Sequence, residues 1–567
     1  MKKFCFGVVL IILFVLQTES QVVYEPITNN PVYDLLDELA TLKIITINSV
    51  VKPYSRVYIA EKLDEAANKL GIRNETVKKR VSKRIIDEIK FYLRDYGFEL
   101  GIKNEELRIQ SIKLNVQDSI LSNNSKFLIP NSSFNYNPLS FNLFTKAFKL
   151  SLRPALGARF IVNENGNVWD LTGGGEVFGY VGKHVGYYFN IKQTWQSEAL
   201  VKPEYFTLEE GKVWSNAGNS SVTNTEWRGG ISVAWKWGDF GLYKDRPVWG
   251  NGVHGTNILS GHAPSFPFIQ LHIKPAKWIE FWYLQGILQT NYFSDLEKSD
   301  TANLYDVSHQ KKFIVANMIS FYPWKELSLS LGNSIIYTSE KIIPAFLIPD
   351  QFFKATDQTL ESLSVVNGQN NQLFFAIDLR LIRQMNFYFS TYIEDIKMKA
   401  FWSSNQINEI GVKVGLKLSN IPFKNFFLIF EYTKTNPLTY QHWVTPTEFY
   451  SNGYCLGNYL RDDSQEFFIN LRYIPWHFLR IDFHYNYVKH GIDYKIAKDI
   501  NNYFLPFIGE VTYKRNTFQG IVNILFLSRL TGWISYTWQD LRGDIKYSPE
   551  IFLGKTNTLE VGINVGF

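Results

Sequence analysis

The sequence predicts an all-β transmembrane barrel of about 18 antiparallel strands, preceded by an N-terminal α-helical bundle. Three observations carry that prediction. Apolar and polar residues alternate with a period of two along much of the chain. Short turns alternate with long polar loops. Aromatic residues make up 16% of the chain at a mean hydropathy of only −0.14. With 567 residues and two cysteines, the chain is too long for a small disulfide scaffold. At 45% hydrophobic residues it is too apolar to be disordered. A polytopic helical membrane protein needs several runs of about 20 apolar residues, and here the only long apolar run is N-terminal.

That run reads as an address. Met1-Lys2-Lys3 is basic, Phe4 to Leu16 is apolar, and Gln17 to Ser20 is polar and small. Residues 1–20 are therefore expected to be a secretory signal peptide, cleaved near Ser20/Gln21. Cys5 would leave with it. Cys455 would then stand alone, with no disulfide framework.

Composition divides the rest. Residues 21–115 carry 16 basic and 14 acidic residues with 8 aromatics and no Trp. Residues 116–567 carry 79 charged residues and 80 aromatics. The first stretch is helical by pattern: Val32, Leu35, Leu36, Leu39 and Leu42 share one face of a helix over Pro31–Ile45. Ser55 is placed to cap a second helix ending at Leu70 before Gly71. Asn74 is placed to cap a third running toward Tyr96, with Val77, Val81, Ile85, Ile86 and Ile89 inward. The cations Lys78, Lys79, Arg80, Lys83 and Arg84 are balanced by Glu75, Asp87 and Glu88. No nucleic-acid partner is expected from them. The expectation is a periplasmic helical bundle at 21–115 and an outer-membrane barrel at 116–567.

The barrel strands are written in alternation. In 479–487 the odd positions (Leu479, Ile481, Phe483, Tyr485, Tyr487) are apolar or aromatic, and the even ones (Arg480, Asp482, His484, Asn486) are polar. Ile410 to Leu418 alternates with Lys413 and Lys417. Phe375, Ile377, Leu379 and Leu381 alternate with Asp378 and Arg380, and 559–567 closes the chain in the same way. Full charges on one face suit an aqueous lumen, and aromatics on the other suit lipid. A sheet in lipid must close, because every backbone polar group there needs a partner. Lys274-Pro275-Ala276-Lys277, Tyr322-Pro323-Trp324-Lys325, Ile421-Pro422-Phe423-Lys424 and Ile474-Pro475-Trp476-His477 read as tight turns in which Pro fixes φ. Long polar loops are expected at about 199–224, 249–265, 289–310, 338–370, 434–463, 490–512 and 541–555. An even strand number returns both ends of the chain to the periplasm.

One stretch carries a family likeness. It reads Arg246-Pro247-Val248-Trp249-Gly250-Asn251-Gly252, then Leu259-Ser260, then Ala263-Pro264-Ser265-Phe266-Pro267. This resembles the Wzi-type capsule assembly family. Pro31-Val32-Tyr33-Asp34-Leu35-Leu36 and Lys52-Pro53-Tyr54-Ser55-Arg56 are similar too. The resemblance implies an 18-stranded outer-membrane barrel, a periplasmic helical bundle that blocks the lumen, and a role in binding, anchoring or assembling surface polysaccharide. It points to Arg246, Trp249, Gly250, Gly252, Ser260, Pro264 and Pro267 as the polysaccharide-binding region. A final strand ending in Phe567 implies recognition by the barrel insertion machinery. The implied partners are surface polysaccharide and outer-membrane lipid, with the chain a monomer.

The residues themselves offer aromatic faces for sugar rings in the loops: Tyr205, Phe206, Trp214, Tyr440, Trp443, Phe449, Tyr450 and Tyr454, with Trp227 nearby. Arg246, Arg461 and Lys341 suit acidic sugars or phosphate. Loop packing or an interface girdle accounts better for most of these aromatics, and Trp249-Gly250-Asn251-Gly252 reads equally as a tight turn with Trp as a plug. A diffusion porin for small solutes or oligosaccharides is the alternative function. Catalysis has little support. His254 and His262 lack a carboxylate at metal spacing, so no metal or cofactor is expected. Asp482 and His484 read as lumen lining, and Gly173-Gly174-Gly175 lies within a strand.

Overall fold

A computed structural model describes residues 21–28, 30–72, 81–101, 139–144, 148–201, 205–218, 220–290, 311–362, 368–396, 408–494 and 505–566. The expected signal peptide and the boundary at 115 fall outside these residues.

Four helices open the described chain: α1 (Val32–Thr41), α2 (Arg56–Lys69), α3 (Lys83–Asp95) and a single turn at Gly97–Gly101 that carries Glu99. The expected apolar face of α1 is buried at all of its positions. Ser55 caps α2 by accepting the Tyr58 N–H, and Gly71 ends it at φ 70°. The cap of α3 is Ser82, which accepts the Ile85 N–H; Asn74 lies outside the described residues. These helices share their own core of Leu35, Leu36, Leu39, Ile59, Leu63, Ile85, Ile89 and Tyr92.

The remainder is a closed barrel of eighteen antiparallel strands. They are β1 (Phe148–Asn163), β2 (Gly166–Val181), β3 (Val185–Ser197), β4 (Ser221–Trp235), β5 (Gly238–Asp245), β6 (Phe266–Ala276), β7 (Ile279–Leu288), β8 (Lys311–Trp324), β9 (Leu327–Ser339), β10 (Asn370–Leu379), β11 (Met385–Asp395), β12 (Glu409–Ser419), β13 (Phe426–Thr435), β14 (Ser464–Trp476), β15 (Leu479–His490), β16 (Tyr513–Leu527), β17 (Leu530–Gly543) and β18 (Gly554–Val565). The seam joins β18 to β1, from Leu559↔Val162 to Val565↔Leu156. Below it, Phe141–Phe144 pairs with the same edge of β1, so the edge stays covered.

The period of two sorts side chains as expected. On β15, Arg480, Asp482 and Asn486 are buried toward the lumen, while Phe483 points out and is exposed. On β18, Leu559, Val561 and Ile563 form an exposed apolar row. No helix among the described residues is long and apolar enough to cross a membrane.

Two expectations about connections need correction. Pro275, Pro323 and Pro475 do not sit in the turns. Each lies at a register shift at a strand end, between Ile273/Ala276, Phe321/Trp324 and Tyr473/Trp476. A bulge is the place in a sheet where a residue without an N–H costs least. The turns themselves are the two residues that follow, as at Lys277-Trp278. The expected loops also omit the β11–β12 connection, 396–408.

The helices sit at the short-turn end. The Lys43 ammonium donates to the Leu381 carbonyl (2.7 Å), Gln384 N donates to Thr41 O (3.0 Å), and the Phe91 ring lies 5.5 Å from the His477 ring.

Candidate functional site

The motif stretch 246–265 joins β5 to β6 and folds into the barrel. Val248–Trp249 pairs with Leu259–Ser260 on one side and with Val51–Lys52 on the other. A three-stranded sheet inside the lumen thus ties this insert to the segment before α2. Trp249 is wholly buried at its centre, beside Ile258, Leu259, Trp282 and Met318. The two motif glycines are needed for close approach. A Cβ on Gly250, at φ 109°, would lie 2.4 Å from Thr256 Oγ1, and one on Gly252 would lie 1.8 Å from the Gly255 carbonyl.

The far wall grips the insert. The Asn257 amide donates to the carbonyls of Ser390 (3.2 Å) and Gly411 (3.0 Å), and its oxygen accepts from the Ser390 hydroxyl (2.6 Å). Glu431 accepts the N–H groups of Val253 (2.6 Å) and His254 (2.9 Å), and Lys413 donates to the His254 carbonyl (2.9 Å). The His254 ring stacks on Phe468 at 4.0 Å, and its Nδ1 lies 3.0 Å from a Glu466 oxygen supplied by β14.

Arg246 is a clamp within the protein. Its Nη2 donates to both Glu226 oxygens (2.8 and 2.9 Å) and to the Gly211 carbonyl (2.9 Å), and its Nη1 donates to the Ala263 carbonyl (3.1 Å). Ser260 donates to Leu456 O (3.0 Å). Pro264 is half-buried on the same insert. Pro267 lies in β6 opposite Lys244 and faces outward. The seven expected residues are therefore neighbours along the chain, and what six of them build is the insert itself.

The helical plug closes on the wall through charge. Acidic Asp34 meets Arg472 and Arg480 (2.7 Å each), Asp37 meets Arg380 and Lys417 (2.8 Å each), and Glu88 meets Arg480 (3.1 Å). Glu99 accepts from Arg56 (2.8 Å) within the plug and from Lys149 (3.3 Å) on β1. Burial alone would raise the Glu99 carboxyl; the charges of Arg56 and Lys149 overcome it and hold the group at about 2. Asp37 is likewise held well below the ordinary carboxylate range by Lys417 and Arg380, against its own burial.

A cavity of about 350 Å³ lies within the barrel on the long-loop side of the insert. Tyr205, Trp214, Tyr454 and Tyr459 supply aromatic surface. Strands β15 to β18 supply Asn486, Thr517, Gln519, Thr537, Gln539 and Thr558. Its charged groups are met from within the protein. Arg159 pairs with Asp170 (3.4 Å) and with Glu209, Arg515 donates to Phe206 O (3.0 Å) and Asn486 Oδ1 (3.1 Å), and Glu560 accepts from Trp533 (2.9 Å). The surface left over is hydroxyls, amides and rings, a set that fits a polyhydroxylated ligand.

Of the loop aromatics expected to meet sugar, Tyr205, Trp214 and Tyr454 line this cavity. Phe206, Tyr440 and Phe449 are wholly buried packing groups. Trp227 points outward on β4, stacked on Phe189 at 6.2 Å with Lys244 over its ring. Trp443 is exposed on its loop. The Gln and Thr positions of β16 and β17 went unnoticed. Their signal is an inward strand face bearing neutral amides and hydroxyls where other strands bear charges.

Asp482 is held by Arg472 (2.5 Å) and stands 3.9 Å from His484, an ordinary lumen pair.

No family model and no curated relative matches the chain. Among solved structures, the chain is similar to Wzi of Escherichia coli, described as an outer-membrane protein involved in group 1 capsule assembly and a carbohydrate-binding β-barrel. That likeness has a TM-score of 0.52 and 12% identity, covering 97% of this chain and all of that one. OprD and OccD3 of Pseudomonas aeruginosa are also found, with TM-scores of 0.39 and 0.40 and 12% and 10% identity over 73% of this chain (93% and 90% of theirs). The chain has the fold of an 18-stranded outer-membrane-type β-barrel.

Proposed function

We propose that this chain is an outer-membrane barrel that binds, anchors or assembles capsular or other extracellular polysaccharide at the cell surface, by binding rather than catalysis. One observation carries the reading: a lumen cavity with aromatic, amide and hydroxyl lining on the long-loop side, to which the 246–265 insert contributes His254. The motif likeness and the Wzi fold agree with it. The motif residues Arg246, Trp249, Gly250, Gly252, Ser260 and Pro264 act by building the insert that carries His254, and Tyr205, Trp214, Tyr454, Gln519 and Thr537 meet the glycan.

In the same reading, residues 1–20 are the export leader and the helical bundle faces the periplasm. The last strand is recognised by the insertion machinery, and the chain works as a monomer. Deleting the gene is expected to release surface polysaccharide into the medium. Unchanged cell-associated polysaccharide in the deletion strain would overturn the proposal.

A further inference from the structure

One sector of the outer wall is not bare. The outward side chains of β18 and β1 are exposed, as a lipid-facing belt requires: Leu156 at 52% and Val561 at 48%. On β8 and β9 the outward residues Val315 and Ile335 are at 0%, and outward Tyr283 and Tyr337 are buried too. The cover is the β9–β10 loop. It descends from the rim after Ser339, makes a turn at Pro344–Leu347, and returns as a helix, α4 (Phe353–Ser362). Ile343, Phe346 and Phe353 pack against Tyr283, Phe313, Val315, Ile335 and Tyr337.

The wall beneath is written for this cover. Asn317 and Asn333 occupy outward positions, where a bare barrel would present apolar groups. Asn317 Nδ2 donates to the carbonyls of Pro349 and Gln351 (2.9 Å each). Asn333 donates to Asn317 (2.6 Å) and accepts the Phe353 N–H (2.9 Å). Nearer the rim, outward Asn371 donates to Asp357 of the helix (2.6 Å). Asn333 stands six residues below Ser339, roughly 15 Å from the rim along a tilted strand. At that depth the outer face of the loop is mostly apolar: Leu347, Ile348 and Phe352 are exposed, Ile348 at 55%, beside a single exposed carboxylate, Asp350. Higher on the loop the exposed residues include Lys354, Gln358, Thr359, Glu361 and Ser362.

We propose that residues 340–362 form a clasp seated on the outside of the barrel within the outer leaflet, where Leu347, Ile348 and Phe352 contact lipid acyl chains. The commitment to lipid rests on continuity: the three side chains extend the apolar belt that Leu331 (57% exposed) presents just below. Asn317 and Asn333 tether the clasp by satisfying its free carbonyls and amide. This inference rests on the reading of the barrel as membrane-spanning.

The test uses nitroxide labels on the full chain in lipid vesicles, with Cys5→Ser and Cys455→Ser as background. Labels at Ile348→Cys, Leu331→Cys and Gln358→Cys are compared for collision with oxygen and with an aqueous nickel chelate. Both the 348 and 331 labels are expected to favour oxygen at least 5-fold over the chelate, and the 358 label is expected to favour the chelate. A lipid-like 331 label with a chelate-accessible 348 label overturns the clasp alone. A chelate-accessible 331 label overturns the membrane reading itself. Protection of the 348 label from both reagents, with dipolar broadening, marks a second copy as the occupant and overturns the lipid assignment. The double variant Asn317→Leu, Asn333→Leu keeps an outer wall suited to lipid. It is expected to retain heat-modifiable gel mobility while exposing the 348 label to the chelate; unchanged protection would overturn the tether.

Discussion

The two bodies inside the barrel are held in different ways. The helical plug has a core of its own and meets the wall through charge, acid on the helices against Arg and Lys on the strands. The 246–265 insert has no separate core. It is held by short-range contacts on every side: the Asn257 hydrogen bonds, the Arg246–Glu226 pair and Glu431 at its edges, glycine-dependent approaches and the buried Trp249. A domain that folds alone can be docked by long-range, titratable forces. A loop that folds only against the wall needs short-range complementarity. The plug should therefore respond to pH and the insert to shape.

The largest effect expected is on the insert. Trp249→Ala should cost about 3–5 kcal/mol, as for other fully buried large aromatics. It should appear as a lower unfolding temperature of the purified barrel in detergent, followed by near-UV circular dichroism. A shift under 2 °C would contradict the central packing role.

Next is the plug. Arg56→Met leaves Glu25 and Glu99 buried without their shared cation. Loss of one partner from a buried pair typically costs about 3–5 kcal/mol. Limited proteolysis should cut the helices first and leave the barrel intact.

Acid should separate the two bodies. Glu25, Asp34, Asp37, Asp95 and Glu99 are all held below their ordinary values in the folded state; in each, burial pushes the other way and paired cations prevail. Their contribution is complete above about pH 4.5 and is lost as pH falls toward 2, the value at which Glu99 is held. Glu38, raised by burial, runs the other way. The helical signal at 222 nm should fall in that window while the barrel keeps its β signal; simultaneous loss would show a single cooperative body.

Much of this comparison was legible in the sequence, and the reason is range. Alternation along Leu479–Tyr487 and the helical face of α1 are local patterns, set by the geometry of one element. Gly250 and Gly252 signalled a tight turn beside Trp249. What was not legible depends on distant partners. Arg246 looked like a group free to meet acidic sugars, because nothing local reveals Glu226 and Gly211 beside it. The pairing of Asp34 and Asp37 with strands hundreds of residues away was equally hidden. The 396–408 loop escaped because it contains no Gly or Pro to punctuate it. By sequence all four prolines near the short turns look like turn formers; strand register places Pro275, Pro323 and Pro475 in bulges and leaves Pro422 in the β12–β13 turn.

Smaller effects sharpen the contrast. Asn257→Ala removes the insert's hydrogen bonds to Ser390 and Gly411 and should cost about 1–3 kcal/mol, with no change in the acid response of the helices. Lys69→Ala breaks a surface pair with Glu65 on α2 and a hydrogen bond to the Ile44 carbonyl (2.9 Å), and should cost about 0.5–1 kcal/mol in the same melting assay.

We propose that two inserts make this barrel a holder of glycan and not a passage. Planar-bilayer recording of the purified full-length protein tests it most directly. No steady conductance is expected for the wild-type chain, and openings are expected when Gly250→Leu and Gly252→Leu displace the insert. A steady, ohmic open current from the wild-type protein would contradict it and make the chain a diffusion porin.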